Sequence, residues 1–373
     1  MKKTYVLLSI LSLIVIGYSC KKNVSKSAGT VELELPATPY TYSATSFNSD
    51  PTINNKATLG RVLFYDSHLS INNAISCASC HKQAYGFADN VAFSVGYEGR
   101  LTYRNSKNIA NLEGNDNSGV IPPFTTLSSN QGLPLFWDGR ENILTNLVAR
   151  PITNHVEMGF EDFSTLPQKL SSLSYYGSLF SSAYGDSSIT SDRISECVAD
   201  FLASMTSSGS KVDQFIASGA QTGLSSLEYA GYTLFTSKYN CDNCHHVFSS
   251  SYTVLDFKDI GLDANYTDMG RGTITGNDTD KGKFKVPSLH NVALTAPYMH
   301  DGRYKTLSDV IDHYSHGIQS SKNLDQQFRN ADGTAKQMNI PDADKEALIA
   351  FLNAFTDYNM VTDPKFSNPF KLK

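Results

Sequence analysis

The chain has 373 residues, of which 40% are hydrophobic, and a formal net charge of −5. This mild acidity argues against nucleic acid as a partner. The length suits more than one domain, since the globular part that remains after the N-terminal region is about 320 residues.

The N-terminus has the pattern of an export signal. Lys2 and Lys3 precede an apolar run from Val6 to Ile16, which is too short for a comfortable membrane span. The run ends at Cys20 in a segment that resembles the lipobox of bacterial lipoproteins. This resemblance implies cleavage before Cys20 and a lipid on its sulfur. An ordinary signal peptide with a chance cysteine is the alternative.

We therefore expect residues 1–19 to be removed, which takes away two lysines and changes the net charge to −7. Residues 20–50 are predicted to be the lipidated cysteine and a flexible tether, because they are rich in Ser, Thr, Lys and Pro. The protein is expected to be exported, facing the periplasm or attached to the outer membrane as a lipoprotein. The lipid is its only predicted membrane contact.

A similar helical phrase occurs twice, as Leu59-Gly-Arg-Val-Leu-Phe64 and as Ala230-Gly-Tyr-Thr-Leu-Phe235. Ser225 and Glu228 form a possible capping box before the second copy. One face of that helix is predicted to hold the residues Leu227, Ala230, Gly231, Leu234 and Phe235. The repeat indicates a duplicated domain.

Each phrase is followed by the pentapeptide Cys-x-x-Cys-His. The copies are Cys77–His81 and Cys241–His245. This motif is typical of c-type haem attachment, in which two thioethers hold the porphyrin and the histidine binds the iron. Two covalent haems are therefore predicted, bound by Cys77, Cys80 and His81 and by Cys241, Cys244 and His245.

A zinc site or a redox dithiol fits the two motifs less well, since neither has a second Cys pair nearby. Of the other cysteines, Cys197 is predicted to be a buried small hydrophobic residue. We expect an all-α fold of two cytochrome c-like haem domains with long loops. The domains are predicted at 51–210 and 211–373, with the C-terminal tail free to pack back on the first.

Further motifs resemble the bacterial dihaem cytochrome c peroxidases and their relatives of the MauG type. The resemblance covers about residues 55–360. Its motifs are Leu135–Arg140, Pro151 with Glu157-Met-Gly159, Arg104-Asn105, and Thr295–Arg303. It implies that the haem on His81 reacts with peroxide and that the haem on His245 stores and relays electrons.

The resemblance also implies roles for single residues. Trp137 would lie between the haems, and Glu157, twenty residues later, would be the catalytic base. Asn105, with the backbone carbonyls of Thr295 and Pro297, would bind one Ca²⁺.

This chain departs from the family at two positions. Leu147 stands where the family often has glutamine, and a leucine cannot donate a hydrogen bond to peroxide. Tyr97 stands where many members have a histidine that blocks the peroxide-reacting iron. We therefore predict a permanently open iron over His81. His68 is the alternative ligand if the iron is blocked.

The distal ligand of the second haem is predicted to be Tyr314, which lies at the position of the family's distal methionine, as in MauG-type relatives. His313, His316 and Met299 compete for this role.

The primary functional prediction is a peroxidase that reduces H₂O₂ with electrons from a small cytochrome c or cupredoxin. A MauG-like oxidase of a protein or small organic substrate is the alternative, and a pure electron-transfer cytochrome is a third hypothesis. A homodimer is a further possibility that the resemblance raises.

Overall fold

The computed structural model describes residues 31–36, 51–112, 134–247 and 256–371. The predicted signal peptide and the lipidated Cys20 lie outside these residues. No helix among the described residues is long and apolar enough to cross a membrane.

The structure is mostly helical, as predicted. The α-helices in the described residues are α1 (Pro51–Tyr65), α2 (Cys77–Cys80), α3 (Leu144–Ile152), α4 (Leu166–Ser171), α5 (Tyr176–Tyr184), α6 (Ser191–Ser204), α7 (Lys211–Ala217), α8 (Ser226–Thr233), α9 (Asp242–His245), α10 (Arg271–Thr275), α11 (Leu307–Asp312), α12 (Asp342–Asn353) and α13 (Tyr358–Thr362). The strands β1 (Phe257–Lys258) and β2 (Phe284–Lys285) pair antiparallel, with Phe257 opposite Lys285.

The first hydrophobic core forms where α1 crosses α6. Thr190 caps α6 by accepting a hydrogen bond from the Arg193 amide. The buried residues of α6 repeat at helical spacing and include Cys197, which is fully buried as predicted. The helices cross very closely at Gly60, where an added Cβ would lie 1.8 Å from the Cys197 carbonyl oxygen.

The second core repeats this crossing with α8 and α12. An added Cβ on Gly231 would lie 2.0 Å from the Ala347 carbonyl oxygen and 2.7 Å from Phe351 Cβ. The predicted capping box is present, since Ser225 and Glu228 exchange hydrogen bonds. The repeated helical phrase thus supplies the same close contact in both cores.

The predicted packing face of α8 is partly wrong. Leu227 is 44% exposed, and Ala230 is exposed as well. Leu227 and Ala230 lie in the first turns of α8, whereas Gly231 and Phe235 point into the core. The helix continues as a π-helical turn over Leu234–Lys238.

The C-terminal tail packs on the first core. Met360 and Phe366 are buried among the side chains of α1 and α6, and Tyr65 donates a hydrogen bond to the Phe366 carbonyl. Residues 31–36, which we predicted to be flexible tether, pair with this tail instead. Leu33 bridges to Phe370 and packs on the same core, because its apolar side chain finds a buried surface there.

We expect Gly60→Ala and Gly231→Ala each to lower the free energy of unfolding by about 1–3 kcal/mol, because a methyl group at the crossing overpacks the core. Urea unfolding followed by circular dichroism measures the change. The control is Gly177→Ala in α5, where an added Cβ meets nothing within 4 Å. That variant should gain about 0.4–1 kcal/mol. Equal stability of all three variants would contradict the close crossing.

Candidate haem centres and their connection

The first attachment site is a short helix followed by a tight return of the chain. α2 places Cys77 and Cys80 one turn apart, with His81 directly after them. Residues 82–88 then fold back, and the Phe87 carbonyl lies 2.9 Å from His81 Nδ1. Nδ1 therefore donates to this carbonyl, which leaves Nε2 as the nitrogen that can bind iron.

The second site has the same arrangement. α9 carries Cys244 and His245, and Cys241 directly precedes it. His245 Nδ1 lies 3.1 Å from the Pro287 carbonyl oxygen and donates to it. Nε2 of His245 is thereby also fixed as the available ligand atom.

Burial keeps the groups of both motifs neutral. It lowers the pKa of His81, and it lowers that of His245 to about 4, so both imidazoles are in the form that binds iron. It raises the pKa of Cys77 to about 12 and that of Cys80 to about 11. The described residues contain no group of three His, Cys, Asp or Glu that could hold a metal, so a zinc site has no support there.

A cavity of about 240 Å³ lies beside the second motif. Cys241, Cys244 and His245 lie on its wall, and much of the remaining lining is apolar. The apolar lining residues include Phe235, Leu289, Leu307, Ile311, Leu348 and Leu352. An apolar cavity next to two thiols and a neutral histidine fits a haem.

Trp137 connects the two halves of the chain. Its indole Nε1 donates to the Asn105 carbonyl at 2.9 Å, and its own carbonyl accepts from the Lys285 amide at 2.8 Å. Residue 105 lies in the loop after the first motif, and residue 285 lies in β2, next to the second cavity. Trp137 thus joins the loop after the first motif to β2, and it lines the cavity beside the second motif.

The residues around Trp137 are held by a partly buried ion-pair network that the sequence did not predict. Arg104 binds Asp138 at 2.6 Å and Asp268 at 2.7 Å. Arg271 donates to the Asp138 and Gly139 carbonyls. Asp138 is 3% exposed, so the network fixes the Trp137 turn at the contact between the two halves.

Glu157 lies close to the first attachment motif. Its charge contributes to the raised pKa of both Cys77 and Cys80, which shows their proximity. Burial raises the pKa of Glu157 itself, against the lowering effects of Arg140 and of a 2.7 Å hydrogen bond from Asn154. A positioned carboxyl with a raised pKa is suited to moving protons.

The loop that carries Tyr97 is anchored to the Glu157 segment. The Tyr97 amide donates to the carbonyls of Val156 and Glu157 at 3.0 and 2.8 Å. Its ring packs against Gly159. His68, the alternative ligand, pairs with buried Asp66 at 2.6 Å. Leu147 packs against the first core.

The four candidate distal ligands of the second haem are not equivalent in the structure. His313 is buried, and its two ring nitrogens contact Tyr304 Oη and the Ile260 carbonyl. His316 is exposed. Tyr314 and Met299 both line the cavity.

Tyr314 is the stronger of these two candidates. It lies in a π-helical turn, His313–Gly317, a feature common at functional sites. Burial and the two cysteines of the second motif raise its pKa, so the phenol lies near the attachment site. Met338, which was not among the predicted distal ligands, also lines the cavity.

The three predicted calcium ligands also share this cavity wall. Asn105 donates through Nδ2 to the Val91 carbonyl, which leaves Oδ1 to bind a cation. Among the described residues, the Thr295 and Pro297 carbonyls accept no hydrogen bond. Three oxygen atoms of this kind suit a hard cation.

The comparisons with known proteins agree with this geometry. Residues 54–221 match the family model described as di-haem cytochrome c peroxidase. The cytochrome c551 peroxidase of Nitrosomonas europaea is 33% identical over 290 residues, which cover 77% of this chain and 78% of that protein. The chain belongs to the di-haem cytochrome c peroxidase family. It is therefore an oxidoreductase with two c-type haems.

Other relatives of this dihaem peroxidase carry the MauG name. The methylamine utilization protein MauG of Methylophilus methylotrophus is 30% identical over 310 residues, covering 82% of this chain and 84% of that protein. A crystal structure of a MauG-like protein associated with microbial copper homeostasis has a TM-score of 0.73 and 28% identity, and the match covers 90% of this chain and 97% of that one.

Tyr314→Phe is expected to change the EPR spectrum of the ferric haem at His245 and to raise its reduction potential. The reason is that a phenolate ligand favours Fe(III) and phenylalanine offers no ligand atom. The matched control is Met299→Leu, on the same cavity wall, which should leave both properties unchanged. The opposite pattern, with only Met299→Leu altering the spectrum, would assign the ligand to methionine.

Proposed function

We propose that this protein reduces H₂O₂ to two molecules of water, using two protons and two electrons from a small donor such as a monohaem cytochrome or a cupredoxin. The observation that carries the proposal is the partly buried carboxyl of Glu157 near Cys77 and Cys80. Electron transfer alone, the third hypothesis, would not need a proton-transfer group at that place.

Glu157 has two tasks in this proposal. As a carboxylate it accepts a proton from bound H₂O₂, and as a carboxylic acid it returns that proton to the leaving oxygen. Asn154 holds the carboxyl group in place through its 2.7 Å hydrogen bond. The haem on His81, when bound, supplies the iron at which the O–O bond breaks.

Trp137 serves as the route for electrons between the two sites. Its hydrogen bonds to the Asn105 carbonyl and from the Lys285 amide support this role, since they bind it to both halves. His245 and Tyr314 are assigned to the haem that receives electrons from the donor.

The iron over His81 is proposed to be open in the oxidised protein. The Tyr97 ring packs against Gly159 and Arg100, and its amide is held by the Val156 and Glu157 carbonyls. These contacts hold Tyr97 in place and support an iron that needs no prior reduction to expose it. His68 pairs with Asp66 through Nδ1, which leaves Nε2 as its ligand atom, so His68 remains the alternative ligand.

Further features extend the proposal. One Ca²⁺ is assigned to Asn105, Thr295 and Pro297, and a lipid anchor is assigned to Cys20.

The protein is proposed to lie on the periplasmic side of a membrane and to consist of two haem domains that divide near residue 210. The separate cores support this division. A homodimer is the proposed assembly.

A second candidate function is a MauG-like oxidase that acts on a protein or a small organic substrate. The open iron over His81 and the tyrosine at position 314 favour it, as does the 30% identity to a MauG protein. Steady turnover of H₂O₂ with a reduced cytochrome or cupredoxin supports the peroxidase. Cross-linking or oxidation of a co-purified partner without such turnover supports the oxidase.

Glu157→Gln is expected to lower peroxide turnover by about 10²–10⁴-fold, since the amide cannot accept the proton. Wild-type turnover should also fall as the pH drops through the raised pKa of Glu157, because only the carboxylate is a base. Stopped-flow rates across pH measure both effects. Glu161→Gln is the matched control, because Glu161 is exposed nearby. Near-wild-type turnover in Glu157→Gln would move the base elsewhere.

The all-ferric protein is expected to react with H₂O₂ without prior reduction. EPR should show a high-spin ferric haem, and stopped-flow mixing with peroxide should change its absorption at once. A low-spin His81 haem that ignores peroxide until one electron is added would show that a ligand blocks the iron. His68→Ala would then test the nearest candidate.

A further inference from the structure

Two lysines line the cavity of the second haem beside Trp137. Lys107 Nζ lies 4.6 Å from the centre of the Trp137 ring. Lys285 follows Phe284 in β2, and its amide donates to the Trp137 carbonyl. Both side chains belong to the cavity wall. Each is only partly accessible to solvent.

Neither ammonium group has a hydrogen bond or an ion pair to any residue that the structure describes. The acids on the same wall are engaged elsewhere. Asp268 binds Arg104, and Asp263 binds Arg303. Among the residues that the structure describes, the cavity wall therefore carries two lysine ammonium groups and no carboxylate that pairs with them.

Asp259, the remaining acid of that wall, is also occupied. It accepts hydrogen bonds from Tyr266 at 2.7 Å and from Ser321 at 2.6 Å. A third basic group is unsatisfied in the same region. The Nδ1 atom of His300 is buried without a partner, and its ring stacks on Phe284 at 3.7 Å.

A cation that is withdrawn from water and has no partner is unfavourable, so such groups are normally paired with an anion. The haem that this cavity fits brings two carboxylates of its own. We propose that Lys107 and Lys285 bind the propionate groups of the haem attached at Cys241 and Cys244. The propionate edge of that haem then faces Trp137.

The pairing has a consequence for Trp137. A cation over an indole face is attracted to the ring and opposes the removal of an electron from it. A carboxylate bound to Lys107 cancels that effect. Lys107 is thus a positioning residue that joins the second haem to Trp137 and balances the charge on the route between the two haems.

The test is an EPR-monitored redox titration of both haems in the purified holoprotein. Lys107→Met and Lys285→Met should each shift the His245 haem to lower potential, because loss of a nearby cation favours Fe(III). The His81 haem should shift less. Lys107→Arg should retain the wild-type potential. Lys322→Met removes an exposed lysine, with 67% of its side chain accessible, and should change neither haem.

Resonance Raman bands of the haem propionates give a second readout, which should move in both Met variants and not in Lys322→Met. If a Met variant fails to incorporate the second haem while the Arg variant at the same position does, the charge requirement is supported. Unchanged potentials and unchanged propionate bands in both Met variants would overturn the proposal. A shift confined to the His81 haem would overturn it as well.

Discussion

The two hydrogen bonds of Trp137 are the constraint on which the relation between the sites depends. One bond reaches Asn105, in the loop that follows the first haem motif, and the other comes from β2 beside the second cavity. The turn that carries the indole is fixed by Asp138, which Arg104 holds from one side. Any displacement of this turn would move the indole relative to both sites at once.

Much of the site was predictable because haem attachment is a local requirement. The two cysteines and the histidine of each motif must be close in sequence, so the pattern identifies them without the fold. The glycines of the repeated helical phrase and the Ser225–Glu228 capping box are also local, and the structure contains them.

The remaining features depend on contacts between distant segments. The carbonyls that orient the two histidines come from Phe87 and Pro287, and the second lies 42 residues from its partner. The spacing of charged residues gave no sign that Lys107 would reach Trp137. The exposure of Leu227, in the first turn of α8, depends on how far the facing core extends, which the helical period of the sequence cannot predict.

The C-terminal tail ties the two ends of the chain together. Phe366 and Met360 complete a core whose other members lie between residues 57 and 205, and Leu33 bridges to Phe370 in the same tail. In sequence, the whole second half therefore lies between two segments of the first core. The contacts of this core with the tail can form only after the last residues have been synthesised, when both cysteine motifs are already part of the chain.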